Sequence, residues 1–303
     1  MAHILVIGSS NTDMVIAAPH LPVPGETIIG SNFFMNAGGK GANQAVAAAR
    51  LGGNVKFICK MGNDVFGNNS LELFKEEGID TSSMFSDPQF PSGVALITVD
   101  AQGENTIVVA SGANANLSID DLRGREADIS AATLLLMQLE IPFESVEYAA
   151  RIAAKYNVPL LLNPAPAASL EQSLLQLVTI ITPNETEASM LTGIEVTDIN
   201  SARKAATAIN KLGVATVIIT LGSEGALVLD KGTFTHIAST PVKAVDTTAA
   251  GDVFNGALSV ALMEGKDILA ATRFACRAAA ISVTRMGAQA SAPYRKELIN
   301  GFD

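Results

Sequence analysis

The chain has 303 residues, 48% of them hydrophobic and 17% charged, with a formal net charge of −10, a globular composition with ample material for a core. Apolar runs such as Leu134–Met137 and Leu160–Leu162 are far too short to cross a bilayer, and no clustered Lys/Arg stripe offsets the acidic balance, which argues against both membrane and nucleic-acid partners. Two distant cysteines, Cys59 and Cys276, three histidines without metal-ligand spacing and an N-terminus without a leader-like pattern lead to the expectation of a reducing, cytoplasmic setting.

Residues 3–7 read as a strand buried on both faces, ending in the polar turn 8–13, where Asn11 and Asp13 offer donors and acceptors suited to a polyol or simply serve the turn. The spacing is no G-x-G-x-x-G, so a nicotinamide reading is weak. Short β-prone runs at 14–17, 26–30 and 32–35, punctuated by prolines, predict a small antiparallel sheet. An alanine-rich helix then opens in 36–44 and runs to about Leu51. Gly38, Gly39 and Gly41 let backbone approach a ligand, Lys40 supplies a cation and Asn43 projects from the first turn. Gly41 stands where a Walker loop needs Ser or Thr, so this is not a P-loop. Close packing of small residues explains the alanines but not Lys40 and Asn43.

A strand at 55–60 and a helix at 68–77 follow, then a hairpin of 93–100 and 104–110 that completes the small sheet. From about Leu117, strands at 133–137, 158–162, 178–182 and 215–220 alternate with helices near 142–156, 184–192 and 198–212. The prediction is an open, mostly parallel α/β sheet in one domain over 1–303, carrying a β lid from about 14–35 and 93–110. Glu140, Asn163, Asn184 and the turn Gly222-Ser223-Glu224-Gly225 each follow a strand, and in open α/β sheets such positions gather along one rim. Asn184 and Glu187, three apart, suit a hydrated Mg²⁺ or phosphate, or else a capping arrangement. The Gly222–Gly225 turn is an ordinary tight turn before the strand Ala226–Asp230, or a flat edge for a nucleotide.

At 246–256, D-T-T-A-A-G-D-V-F-N-G, an extended approach and a small-residue turn lead into a helix with Phe254, Ala257, Leu258, Ala261 and Leu262 on an apolar face. Unpaired amides and the helix dipole favour an anion there, and Ala249, Ala250 and Gly251 carry too little bulk to block it. With Asp252 beside it, the stretch has the two things phosphoryl transfer needs, donors for charge and a base, although an Asp can merely complement the dipole. A last helix is expected at 268–284, followed by the loop 285–291, to which composition assigns no role.

G-G-K-G-A-N-Q-A at 38–45 and D-T-T-A-A-G-D at 246–252 resemble the two signatures of the ribokinase family of sugar kinases. N-T-D at 11–13, N-E-T-E at 184–187, T-L-G-S-E-G at 220–225 and T-R-M-G-A-Q at 284–289 match in order, so the likeness spans essentially the whole chain. The resemblance implies ATP-dependent phosphorylation of D-ribose at O5. It assigns Asn11, Asp13, Gly39, Lys40, Asn43 and Glu140 to the sugar, and Asn184, Thr220, Gly222, Ser223 and Gly225 to the nucleotide. Gly251 falls in an anion hole with Ala249 and Ala250, and Asp252 is the base. It also implies Mg²⁺, with Glu187 acting indirectly, a K⁺ loop at Asp246, Thr248, Ser282, Arg285, Gly287 and Ser291, and a homodimer formed through the lid. The chain departs from the family at Cys276, where Asn is common near the adenine, and at Val253, where Thr commonly follows the base. The competing expectations are the same chemistry on another sugar or nucleoside, and a non-catalytic sugar-binding regulator.

Overall fold

In a computed structural model, which describes residues 2–300, two sheets carry the architecture. The larger has eight strands in the spatial order Thr233–Ile237, Ala226–Asp230, Thr216–Thr220, Ile180–Ile181, Leu160–Leu162, Leu134–Met137, Ile4–Ile7 and Val55–Ile58. The last six are parallel, and the first two add an antiparallel edge. The parallel strands are short apolar runs because helices cover both faces: along Ile4–Ile7, Ile4 and Val6 join one core cluster while Leu5 and Ile7 join the other. Each such side chain, once fully buried, contributes about 1.5–3 kcal/mol.

On one face lie the helices Lys40–Arg50, Val65–Glu76, Ala250–Met263 and Ile268–Ser282; on the other lie Phe143–Lys155, Glu185–Thr192 and Ile199–Lys211. The contact between Lys40–Arg50 and Ala250–Met263 matters most for function. It is made by small residues, and a Cβ at Gly256 would stand 2.7 Å from the Gln44 carbonyl oxygen and 2.8 Å from the Ala47 methyl. Only glycine lets the two backbones come this close, and that approach carries side chains of the first helix to the first turn of the second.

The smaller sheet has the order Phe33–Gly38, Asn11–Ala17, Gly93–Val99, Asn105–Ala110. It stands where the small antiparallel sheet was expected, with three differences. Its outer pairs are antiparallel, but Asn11–Ala17 and Gly93–Val99 run parallel where they join. Asn11 and Asp13, expected in a turn, are instead the first and third residues of a seven-residue strand. Residues 26–30, expected as a strand, have no regular structure.

Other elements lacked a sequence signal. The parallel pair Lys60–Gly62 and Phe85–Asp87 and the edge strand Thr233–Ile237 are short or half-exposed. The helices Ile119–Arg123, Glu126–Ala131, Gln172–Leu175 and Arg295–Asn300 run for only one or two turns, too short for a hydrophobic period. Arg295–Asn300 also means that 268–284 does not hold the last helix. Among the described residues no helix is long and apolar enough to cross a membrane.

Candidate active site

The rim expected at the strand ends exists. Asn163, Thr182, Asn184 and Thr220, each at or just past the carboxyl end of a parallel strand, line one cavity with Lys40, Glu187, Ala249, Ala250, Gly251, Asp252 and Asn255. A second pocket continues from it along Asn184, Thr220, Gly222, Gly225, Ala250, Gly251, Phe254 and Cys276. A third opens beneath the lid, lined by Asn11, Val109, Asn114, Glu140 and Pro142 among others. Glu140 ties this third space to the first: its Oε2 accepts from the Lys40 amide at 3.0 Å and the Ser9 hydroxyl at 2.6 Å.

Asp252 sits in the first turn of Ala250–Met263 and is only 6% exposed. Ala249 before it is left-handed, with φ of 59°, and no side chain caps the helix; the Ala250 amide closes a turn on the Thr247 carbonyl at 3.2 Å, and the Gly251 amide is left for a ligand. Open space surrounds the position a Gly251 side chain would occupy. The Asp252 carboxylate accepts from Asn43 Nδ2 at 2.9 Å on Oδ2 and from Gln44 Nε2 at 2.9 Å on Oδ1. Burial pushes its pKa up; the charge of Lys40 and the two amide donors pull the other way. Lys40 is itself mostly buried, which disfavours its charge, yet Asp252, Glu140, Glu187 and Asp13 together raise its pKa, so it stays cationic.

At the lid end, Gly39 precedes the helix with φ of 86°, a conformation glycine adopts without strain. Asp13, brought over the site by the strand Asn11–Ala17, has its pKa raised to about 6 by burial and by the charges of Glu140 and Asp252, with Lys40 opposing. Asn11 Oδ1 accepts from Asn114 Nδ2 at 2.7 Å, and Asn114 also exchanges two hydrogen bonds with the Ser10 backbone.

Asn184 and Glu187 form a reciprocal capping box, Glu187 N to Asn184 Oδ1 at 2.8 Å and Asn184 N to Glu187 Oε2 at 2.9 Å, while both still line the cavity. The capping reading holds at this pair, and its side chains face the cavity as well. Burial raises the Glu187 pKa, opposed by the Asn184 amide and Lys40. Ser223 is exposed on the short turn Gly222–Glu224, beside the pocket rather than in its lining. Cys276 is 6% exposed in the pocket wall, its thiol pushed up to about 12 by burial, and Val253 points into the core.

The structure joins the segment around Asp246 to the C-terminal loop. Asp246 Oδ1 accepts from the Thr248 amide at 2.9 Å and Oδ2 from the Gly287 amide at 2.8 Å; against the effect of burial, the Thr248 hydroxyl and these two amides lower its pKa. The hydroxyls of Ser282 and Ser291 donate to the carbonyls of Ala279 and Ala288, and Arg285 pairs with Glu297. Among the described residues no cluster of three or more His, Cys, Asp or Glu could hold a metal ion.

Sequence reasoning did not single out Gln44, Gln138, Asn114 or Asn255 as site residues. Gln44 and Asn255 lie inside or beside the quoted motifs, but a buried amide has no sequence signal that separates it from an exposed one.

The sequence profile described as pfkB family carbohydrate kinase matches residues 1–295. The chain is 51% identical over 294 residues to the ribokinase of Haemophilus influenzae, covering 97% of this chain and 96% of that one. It is 38% identical over 291 residues to the deoxyribokinase of Salmonella typhi, covering 96% and 95%. Its fold matches the structure of Arabidopsis thaliana ribokinase complexed with ribose and ATP at a TM-score of 0.93, with 33% identity and all of both chains covered.

Proposed function

The chain belongs to the pfkB family of carbohydrate kinases, and on that premise we propose that it transfers the γ-phosphoryl group of ATP to O5 of D-ribose, giving D-ribose 5-phosphate and ADP. One observation carries the mechanism: a buried carboxylate, Asp252, and an uncapped helix N-terminus, Ala249 to Gly251, occupy consecutive positions in one cavity. The sugar lies between the lid and the rim, its hydroxyls meeting Asn11, Asp13, Asn43, Glu140 and the Gly39 backbone. Asp252 takes the O5 proton as the oxygen attacks phosphorus and the bond to ADP breaks. The helix N-terminus formed by Ala249, Ala250 and Gly251, with the Gly251 amide as its donor, and the Lys40 ammonium receive the charge that spreads over the transferred group.

ATP extends along Asn184, Thr220, Gly222 and Gly225, with Ser223 at the margin and the base near Cys276. Magnesium bound with the nucleotide would neutralise phosphate charge, and Glu187, held by both Asn184 nitrogens, would order its water shell. The segment around Asp246 suits a monovalent cation, since each Asp246 oxygen has one amide donor and keeps lone pairs. Thr248, Ser282, Arg285, Gly287 and Ser291 would supply further oxygens, and K⁺ there would brace the anion-hole turn from behind. Strand alternation sets Ile16, Phe33, Met35, Leu96 and Val108 on one exposed face of the lid, away from Asp13 and Val109, which supports homodimer formation through that sheet. Two free, buried cysteines fit a cytoplasmic setting.

ADP release measured with ribose, 2-deoxyribose, hexoses and nucleosides, with the product phosphate located by ³¹P NMR, tests the reading. Ribose should have the highest kcat/KM and carry the phosphate on O5. Preference for a hexose or nucleoside would move the chain to another sugar kinase activity, and the absence of ADP release with every acceptor would leave a binding regulator.

A further inference from the structure

Behind Asp252 runs a chain of buried polar side chains; Asn163, Thr182 and Asn255 show in the cavity wall, while Gln44 and Gln138 lie behind it. Gln44, fully buried on Lys40–Arg50, donates from Nε2 to Asp252 Oδ1 at 2.9 Å and to Asn163 Oδ1 at 3.0 Å, and its Oε1 accepts from Gln138 Nε2 at 2.6 Å. The direction is forced, because a carboxylate only accepts: Gln44 must turn its amino group to Asp252, which leaves its oxygen for Gln138. Asn163 then donates to the Thr182 carbonyl at 3.3 Å, and the Thr182 hydroxyl donates to Asn255 Oδ1 at 2.6 Å. Asn255 Nδ2 closes the chain on the Gly251 carbonyl at 2.8 Å. All five members are buried.

Apolar residues would pack these positions without the cost of desolvating amides, so polarity here serves something other than burial. The chain ends on the two groups that the transfer requires, the Asp252 carboxylate and the Gly251 turn. We propose that Gln44 is a positioning residue of the reaction, the centre of a buried amide and hydroxyl chain, Gln138–Gln44–Asn163–Thr182–Asn255, that locks the Asp252 carboxylate plane and the Gly251 turn into one fixed relation. This rests on Asp252 being the base. With Asn43 on one oxygen and Gln44 on the other, the carboxylate cannot rotate. Both donors also favour its ionised form, alongside Lys40 and against Glu140, with Asp13 and Glu187 coupled to the same charge.

Gln44→Leu removes the centre of the chain, and Gln138→Met removes the anchor of Gln44 without touching Asp252. Each is measured for kcat, ribose KM, the acidic limb of the kcat–pH profile and Tm, with Asp252→Asn alongside. Gln44→Leu should lower kcat about 10- to 100-fold with ribose KM within about threefold of the parent, the loss expected for one hydrogen bond to a charged group. The acidic limb should move up by about one pH unit. Gln138→Met should move both readings in the same direction by less. A loss confined to Tm, with kcat within about twofold and the limb unmoved in both variants, overturns the proposal; if Gln44→Leu does not fold, Gln138→Met decides on the same criteria. An Asp252→Asn enzyme that keeps turnover sinks the base assignment and Gln44 with it. A dead Asp252→Asn beside normal glutamine variants sinks only the positioning role.

Discussion

Asn43 donates from Nδ2 to Asp252 Oδ2 at 2.9 Å, while its Oδ1 is buried without a hydrogen-bond partner. A buried acceptor left unpaired costs about 1–3 kcal/mol, and a sugar hydroxyl donating to it would recover that amount. Asn43→Ala is therefore expected to weaken ribose binding by about 5- to 150-fold, measured by calorimetry. Unchanged ribose affinity would remove Asn43 from the sugar site.

Asp252→Asn keeps the side-chain shape and cannot take a proton. The expected result is a fall in kcat of about 10²- to 10⁴-fold, the usual contribution of a positioned base, with ribose affinity largely kept. Stopped-flow ADP detection and calorimetry on the same preparation separate the two quantities. Near-normal kcat would refute the base assignment.

Asp13 carries a pH signature. Its folded pKa of about 6 lies above the ordinary carboxylate value, so the free protein holds an extra proton relative to the unfolded chain between about pH 4 and 6. Its contribution to stability is present below that window and is lost as pH rises through it. Ribose hydroxyls need the ionised carboxylate as acceptor, so ribose affinity should climb as pH rises through about 6 and then level off. Calorimetry from pH 5 to 8 reads this directly, and Asp13→Asn should flatten the curve. A slope that survives in Asp13→Asn would assign the titration to another group.

Asp246 joins Thr248, next to the anion-hole turn, to Gly287 in the C-terminal loop through one carboxylate. Replacing Na⁺ by K⁺ at constant ionic strength should raise turnover, and Asp246→Ala should abolish that response. The alternative is that Asp246 is only a brace held by its two amides, in which case the two salts support equal rates in the parent enzyme.

The apolar strands were legible in the residues alone, since such continuous runs have no use except between two layers of helices, and so were the glycine-rich and small-residue stretches around Lys40 and Gly251. Chemistry confined to a few neighbouring residues is legible there, because a turn, a helix start and an acidic first turn depend on local geometry. The assembly of those pieces was not local. That Gln44 meets Asp252, that Asn114 holds Asn11 and that Asp246 reaches Gly287 are contacts across 208, 103 and 41 residues. The placement of Asn11 and Asp13 in a lid strand rather than a turn came from pairing with Phe33–Gly38 and Gly93–Val99. Residue type tells that an amide can donate and accept, but what it meets depends on how closely two helices approach. Here Gly256 and Ala47 decide that distance, and with it whether Asp252 has its partners.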